Sequence, residues 1–236
     1  MRKGMRPVAS AALLLLLLAP GAAPAEERFG RTAIYLERNA TDADAEVRFE
    51  VRGAAEGLAS LHVTAPDGRT VLDLRAPESR LGIRHLDLES PEPRDDGRLR
   101  ADFPAGTYRF AGTTVGGTEL RGEATLSHAF PPTTSLLAPR PGQTGLSASR
   151  PLRIRWSPVA GAAAYVVVIE QEDTGREIRA EVPGTATAFA VPGGVLAPGT
   201  EYKLAIGTVS REGNRSFIEA SFATGASTRG RGDEPD

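Results

Sequence analysis

The densest run of oxygen-bearing side chains in the sequence is residues 37–46, "ERNATDADAE", where Glu37, Asn39, Asp42, Asp44 and Glu46 crowd into one short segment. A calcium ion takes about six to eight oxygens, and loops between strands can supply them. Asn39, Asp42, Asp44 and Glu46 are therefore the candidate metal ligands. The segment lacks the glycine and terminal glutamate of an EF-hand, and a solvated turn fits the composition as well. No metal and no cofactor is otherwise expected. A second acidic stretch, "DLESPEPRDD" (87–96), carries prolines and an arginine and reads as an exposed loop. The histidines His62, His85 and His128 stand at no zinc-ligand spacing, and His62 alternates onto the polar face of its strand. Nucleophilic catalysis has no recognisable carrier. The chain has no cysteine, no G-x-S-x-G elbow and no S-x-x-K, and nothing in the spacing supports a triad around Ser127 and His128. Paired carboxylates of a glycosidase need not be close in sequence. Even so, a domain of about 100 residues with few aromatics makes a poor sugar cleft. Arg231-Gly232-Asp233 spells an integrin tripeptide, but it stands in an arginine- and glycine-rich tail whose composition produces it by chance.

The elements that must position these groups begin after an export signal. Arg2, Lys3 and Arg6 precede an apolar core centred on Leu13 to Leu18, and small residues at Ala23 and Ala25 mark cleavage after Ala25. The apolar run is shorter than the roughly 20 residues a membrane helix needs. No cysteine follows the signal, so no lipoprotein anchor is expected. Removing residues 1–25 leaves 25 basic against 30 acidic residues, a net charge of −5. That balance argues against nucleic acid as a partner. Arginine carries nearly all of the positive charge, Lys203 being the one lysine left, which fits a GC-rich bacterial genome. The expected location is periplasmic or secreted. Without disulfides, hydrophobic cores must hold the exported chain together.

Glycine and proline punctuate the sequence every ten residues or so, and no long stretch keeps a helical period. This predicts an all-β chain of two tandem sandwiches. "LASLHVTAPDGRTVLDL" (58–74) reads as a hairpin turning at Asp67-Gly68, and "YRFAGTTVGGTELRGEATL" (108–126) as another turning at Gly116-Gly117. The expected divisions are a signal peptide at 1–25, an N-terminal sandwich at 26–130, a proline-rich linker at 131–135, a second sandwich at 136–224, and a disordered tail at 225–236. Pro131 and Pro132 should make the linker short and stiff.

One phrase occurs twice. "FPAGTYRFAG" (103–112) and "APGTEYKLAIG" (197–207) each set a tyrosine four residues after a proline, with a glycine between, and then start a strand. The second half, Thr134 to Thr224, resembles a fibronectin type III domain. The residues that carry the resemblance are Trp156 ending "LRIRW", the following "YVVVIEQ", the set Leu196, Pro198, Gly199, Thr200 and Tyr202, and the closing strand "SFIEASFAT". The whole chain resembles exported bacterial proteins that pair an N-terminal β domain with such a module. The resemblance implies a Greek-key sandwich whose corner tyrosine, Tyr202, returns its hydroxyl to the backbone upstream. Leu204 stands where immunoglobulins place a cysteine. By the same pattern Pro104 and Tyr108 form a corner in an Ig-like first domain.

Alternation in the second half places Tyr165, Val167 and Ile169 in the core with Trp156. Val166, Val168 and Phe217 then fall on the outer face of one sheet, as an apolar strip that reflects ordinary β-propensity, is buried against the first domain, or meets a partner. Taken together, these features describe an exported, non-catalytic binding or scaffolding protein whose partner is a protein or glycan of the cell envelope. A hydrolase with its site in the N-terminal domain is the alternative.

Overall fold

The computed structural model describes residues 27–226, apart from 77, 79, 93 and 94. Residues 1–25, read above as an export signal, and the Arg231-Gly232-Asp233 tripeptide lie outside the described residues. Strands dominate because period-two alternation dominates. After the two-residue β1 (Glu27–Arg28), β2 (Arg31–Asn39) and β3 (Asp44–Arg52) form an antiparallel hairpin. In β3 the buried residues Ala45, Val47, Phe49 and Val51 alternate with Asp44, Glu46, Arg48 and Glu50. The first domain continues through β4 (Leu58–Thr64), β5 (Thr70–Arg75) and β6 (His85–Glu89), then β7 (Gly106–Thr114) and β8 (Glu119–Leu126). One sheet runs β1-β8-β7-β4-β5, and β2-β3-β6 faces it. Between them Leu36, Val47, Leu58, Leu61, Val63, Tyr108, Phe110, Leu120 and Leu126 make a closed core.

The second domain contains β9 (Leu136–Ala138), β10 (Gln143–Leu146), β11 (Leu152–Trp156), β12 (Ala164–Gln171), β13 (Arg176–Pro183), β14 (Ala188–Val191), β15 (Glu201–Val209) and β16 (Arg215–Thr224). Here β14-β11-β9 faces β13-β12-β15-β16. Leaving aside the two-residue β1 at the edge of the first domain's five-stranded sheet, both domains set three strands against four in the same order of connection: β2-β3-β6 against β5-β4-β7-β8, and β9-β11-β14 against β13-β12-β15-β16. The repeated phrase opens the equivalent strand in each, β7 and β15. Two Ig-like Greek-key sandwiches in tandem are the architecture.

The tyrosines of the two phrases bond in opposite senses. Tyr202 Oη accepts from the Ala197 amide at 2.7 Å, and its ring stacks on Phe222. Tyr108 Oη donates to the Pro104 carbonyl at 3.1 Å. A third tyrosine, Tyr165, packs against Trp156 and accepts from the Val159 amide at 2.6 Å. Leu204 is buried in the second core, so packing occupies the place of a disulfide.

Two sequence expectations change. The 87–96 stretch is not all loop. Asp95 caps a short helix, α1 (Asp96–Asp102), by accepting from the Gly97 amide at 2.8 Å, and Leu99 anchors that helix in the first core. Seven residues among prolines and charges give too little periodicity to reveal it. At the other end the second sandwich reaches one residue past Thr224. Gly225 donates to the Leu146 carbonyl and accepts from the Gly199 amide, both at 2.8 Å.

The domains are not merely strung together. The start of β16 pairs in parallel with the end of β2: Arg215 with Glu37, Ser216 with Arg38, Phe217 with Asn39. The three-stranded sheet of the first domain therefore continues into the four-stranded sheet of the second. The result is one sheet ordered β13-β12-β15-β16-β2-β3-β6, with β10 also paired to β16 further along.

Candidate functional site

The place where the two sheets join concentrates the polar chemistry of the molecule. The turn between β15 and β16 delivers Asn214, and Gly213 makes that turn possible at φ 95°, a value side-chain-bearing residues rarely adopt. Asn214 is 1% exposed. Its Oδ1 accepts from the Leu36 amide at 2.8 Å, and its Nδ2 donates to the carbonyls of Ser127 and Ala129, both at 2.9 Å. A single amide thus satisfies backbone groups of β2 and of the segment leaving β8. Buried backbone groups need such partners.

The "ERNATDADAE" segment supplies the other half of the joint. Asn39 shapes its turn, accepting from the Thr41 amide at 3.0 Å and donating to Asp42 at 2.7 Å. The turn lies along β16. The Ala40 amide donates to the Phe217 carbonyl at 2.9 Å, and Thr41 Oγ1 accepts from the Glu219 amide at 2.8 Å. The four candidate calcium ligands Asn39, Asp42, Asp44 and Glu46 all line one cleft. Asn39 and Asp42 bond each other, while Glu46 lies at 3.2 Å from the Arg48 guanidinium. Among the described residues, no three acidic, histidine or cysteine side chains are placed to hold a metal ion. This segment grips the second domain instead.

Charged side chains follow the splice on the sheet's outer face. Arg215 bridges to Glu37 across the domain boundary at 3.3 Å, and both side chains are largely buried. The Arg215 guanidinium lies over the Tyr35 ring, 4.3 Å from its centre. One strand further on, Arg48 is shared by Glu46, Asp87 at 3.0 Å and Glu89 at 2.7 Å, with Glu37 at 4.0 Å. Burial strips water from the Glu46 carboxyl and pushes it up to about 7; Arg48 opposes this, and the charges of Glu89 and Glu37 add to it.

The apolar strip is placed as its alternation implied but is not open. Val166 pairs with Gly207, and Gly207 with Phe217; Val168 pairs with Ala205. The three candidates share one face, outside the second core. Phe217 and Val166 are nevertheless buried, at 6% and 2% exposure, and only Val168 is half-buried. The reason is Gly207. Its missing side chain lets the Phe217 ring lie flat across β15, so that a Cβ there would meet ring carbons at 2.6 Å. The strip covers itself, and the Asn39–Thr41 turn lies alongside it.

Between the strip and the charged hairpin lies an open cleft of about 330 Å³. Val168, Ala205 and Phe217 floor it. Glu37, Asp42, Asp44, Glu46, Glu92, Glu170 and Glu219 contribute carboxylates, against the cations of Arg179 and Lys203. Lys203 is itself paired with Glu219 at 2.7 Å, which raises the lysine's affinity for its proton. Sequence reasoning singled out residues on both walls and missed what joins them. Asn214 and Arg215 stand in "REGNRS", which reads as an ordinary turn, and only the Gly-Asn dipeptide signalled a tight bend there. His62 and His128 take no part in the cleft. His128 Nε2 lies 2.8 Å from the Phe103 carbonyl, and His62 lies beside Thr70.

No protein-family model matches the chain, and no curated protein matches it. Solved structures similar to it include the fibronectin(III)-like modules of Clostridium thermocellum CbhA, at 7% identity and TM-score 0.36, covering 91% of this chain and 97% of that one. The two fibronectin type III domain segment of chicken tenascin is 14% identical with TM-score 0.30, over 83% of this chain and 98% of that one. The FN1–FN3 domains of chicken CNTN1 are 14% identical with TM-score 0.31, over 83% and 67%. At such values the likeness assigns this chain neither an activity nor a partner.

Proposed function

We propose that this is an exported, non-catalytic binding or scaffolding protein of the bacterial cell envelope, periplasmic or secreted, whose partner docks at the domain junction. The observation that carries this reading is the splice itself. Strand pairing, the Asn214 contacts and the Arg215–Glu37 bridge fix two sandwiches into one body and hold the walls of the junction cleft in register. A scaffold gains from that rigidity, because a preformed surface loses less freedom on binding. The cleft has an apolar floor and more carboxylates than cations on its walls. A protein surface bearing basic residues is its complement.

The test is recovery of envelope proteins on the immobilised chain from Glu26 onward, compared with Val168→Arg, which sets a cation on the cleft floor. The expected result is a defined partner, cross-linked to residues lining the cleft, whose recovery falls at least tenfold with the variant while the melting temperature stays within about 2 °C. Equal recovery on both would remove the cleft as the docking place. Turnover of ester, glycoside or peptide substrates by the purified chain, lost on substitution of a first-domain carboxylate, would replace the binding reading with the hydrolase one.

A further inference from the structure

We propose that the partner seated in the junction cleft is a second copy of this chain, which presents the outer face of its β9-β11-β14 sheet, so that copies stack head to tail. This rests on the reading of the cleft as a docking place and names its occupant. Alternation along β11 buries Ile154 and Trp156 and turns Arg153 and Arg155 outward, both exposed. Residues two apart on a strand sit about 7 Å from each other on one face. Their cross-strand partners are small: Ala190 pairs with Arg153, and Ala188 and Ala138 flank Arg155. These neighbours leave the two guanidinium groups uncovered, and among the described residues neither forms an ion pair. Next to Ala138, Leu137 is 54% exposed.

The lack of carboxylates on this face is written into the sequence. No Asp or Glu occurs between Glu123 and Glu170, a stretch that takes in β9, β10 and β11, and no charged residue of either sign between Glu181 and Glu201, which takes in β14. The first domain instead interleaves its surface charges: Arg109 with Glu123, Arg121 with Glu119, Arg31 with Glu50. An unneutralised pair of arginines on an open sheet is the exception in a chain with more acidic than basic residues. Outward guanidinium forks suit carboxylates.

The cleft is the opposite surface in both respects. Its walls set Asp42, Asp44, Glu46 and Glu170 against Arg179 and a Lys203 already paired with Glu219, and its floor includes Val168 and Ala205. Arginines of one copy meet carboxylates of the next, and Leu137 meets the apolar floor. Pairing of like surfaces, arginine face on arginine face or cleft on cleft, would set equal charges together, so a two-fold dimer through either is disfavoured. The two surfaces also point away from each other. The arginine face is the outside of the three-stranded sheet, the cleft floor is the outside of the four-stranded sheet, and the second core lies between them. A contact between unlike surfaces on opposite sides of one body leaves one of each free at the ends, and a further copy can add at either end.

The test is self-association of the chain from Glu26 onward, followed by sedimentation velocity from micromolar to millimolar concentration. At about 50 mM salt the weight-average mass should grow with concentration, and at about 0.5 M, where screening shortens the reach of charge, the association constant should fall at least tenfold. Arg153→Glu with Arg155→Glu should hold the mass at that of one chain, with the melting temperature within about 2 °C of the wild type because both sites are exposed. Val168→Arg, which blocks the cleft, should do the same. Mixed together, the two variants should form a one-to-one pair and stop, because each keeps the surface that the other has lost. Growth that the arginine substitutions leave unchanged, or a mixture that fails to pair, overturns the proposal. A wild type that stays single while an envelope protein is recovered on it and lost with Val168→Arg overturns the second copy alone and leaves the docking reading standing. Growth lost with the arginine pair but untouched by Val168→Arg removes the cleft, and with it this proposal.

Discussion

Replacing Asn214 with alanine tests the joint at its most concentrated point. The side chain makes one hydrogen bond to the buried Leu36 amide and two to the Ser127 and Ala129 carbonyls. Each bond contributes about 1 kcal/mol net, and a buried amide left without a partner costs about 1–3 kcal/mol. Water can reach the two carbonyls once the side chain is gone, since Ser127 and Ala129 are not buried, so they count at the low end. The sum is a loss of about 2–4 kcal/mol, or roughly 5–15 °C in melting temperature for a chain of this size. Asn214→Asp should not rescue it, because a carboxylate would face two carbonyl oxygens. The assay can separate the domains. Trp156 is the only tryptophan and sits in the second core, so its fluorescence follows that domain, whereas far-ultraviolet circular dichroism follows both. In urea the two signals should coincide for the wild type and separate in Asn214→Ala as coupling is lost. Coincident transitions with a midpoint moved by less than about 0.5 kcal/mol would refute the reasoning, and Asn214 would be a turn residue with incidental contacts.

The two corners should respond unequally to loss of a hydroxyl. Tyr202→Phe orphans the Ala197 amide and should cost about 1–3 kcal/mol, whereas Tyr108→Phe orphans only a carbonyl and should cost about 1 kcal/mol or less by denaturant titration. An equal loss in both would mean that the direction of the bond does not matter. Gly207→Ala drives a Cβ into the Phe217 ring and should destabilise by about 1–3 kcal/mol; an unchanged midpoint would show that the ring does not rest there. Millimolar calcium and excess EDTA should give melting temperatures within about 1 °C of each other, since a ligand that binds only the native state must raise its stability. A calcium-dependent rise of several degrees, abolished by Asp42→Ala with Asp44→Ala, would restore the metal site.

Local pattern carried the sandwiches. Alternation in "DAEVRFEV" and "YVVVIE" chose the buried faces, and the proline-to-tyrosine spacing marked the same strand in both domains. The junction had no such signature. Leu36 and Asn214 lie 178 residues apart, and parallel pairing of β2 with β16 leaves no periodic trace in either strand. Glu37 and Glu46 were visible as acidic residues, but a carboxylate bound to a guanidinium and one awaiting calcium look alike in sequence. Phe217 was placed on the outer face of its sheet, but what covers it was not legible, because the cover is the absence of a side chain at Gly207. Such a complement becomes legible only once the register of β15 and β16 is known.

The overlap of β2 and β16 also decides how the molecule would respond to tension. Force entering at Glu27 and leaving at Thr224 draws β2 backwards and β16 forwards along nearly a common line. Because the strands are parallel and overlap by three residue pairs, that load is borne in shear. The ladder bonds, the Ala40–Phe217 bond and the Asn214 contacts must yield together rather than one after another. The covalent connection between the domains, residues 127–135, is held at both ends, by Asn214 at Ser127 and Ala129 and by Ser157 at Thr134 and Ser135, and carries chain that is not extended until the overlap fails. Only then would those nine residues pay out, by at most about 30 Å at the span of an extended chain. A protein tethered at both ends would hold its length up to a threshold pull and then lengthen in one step, with both sandwiches still folded.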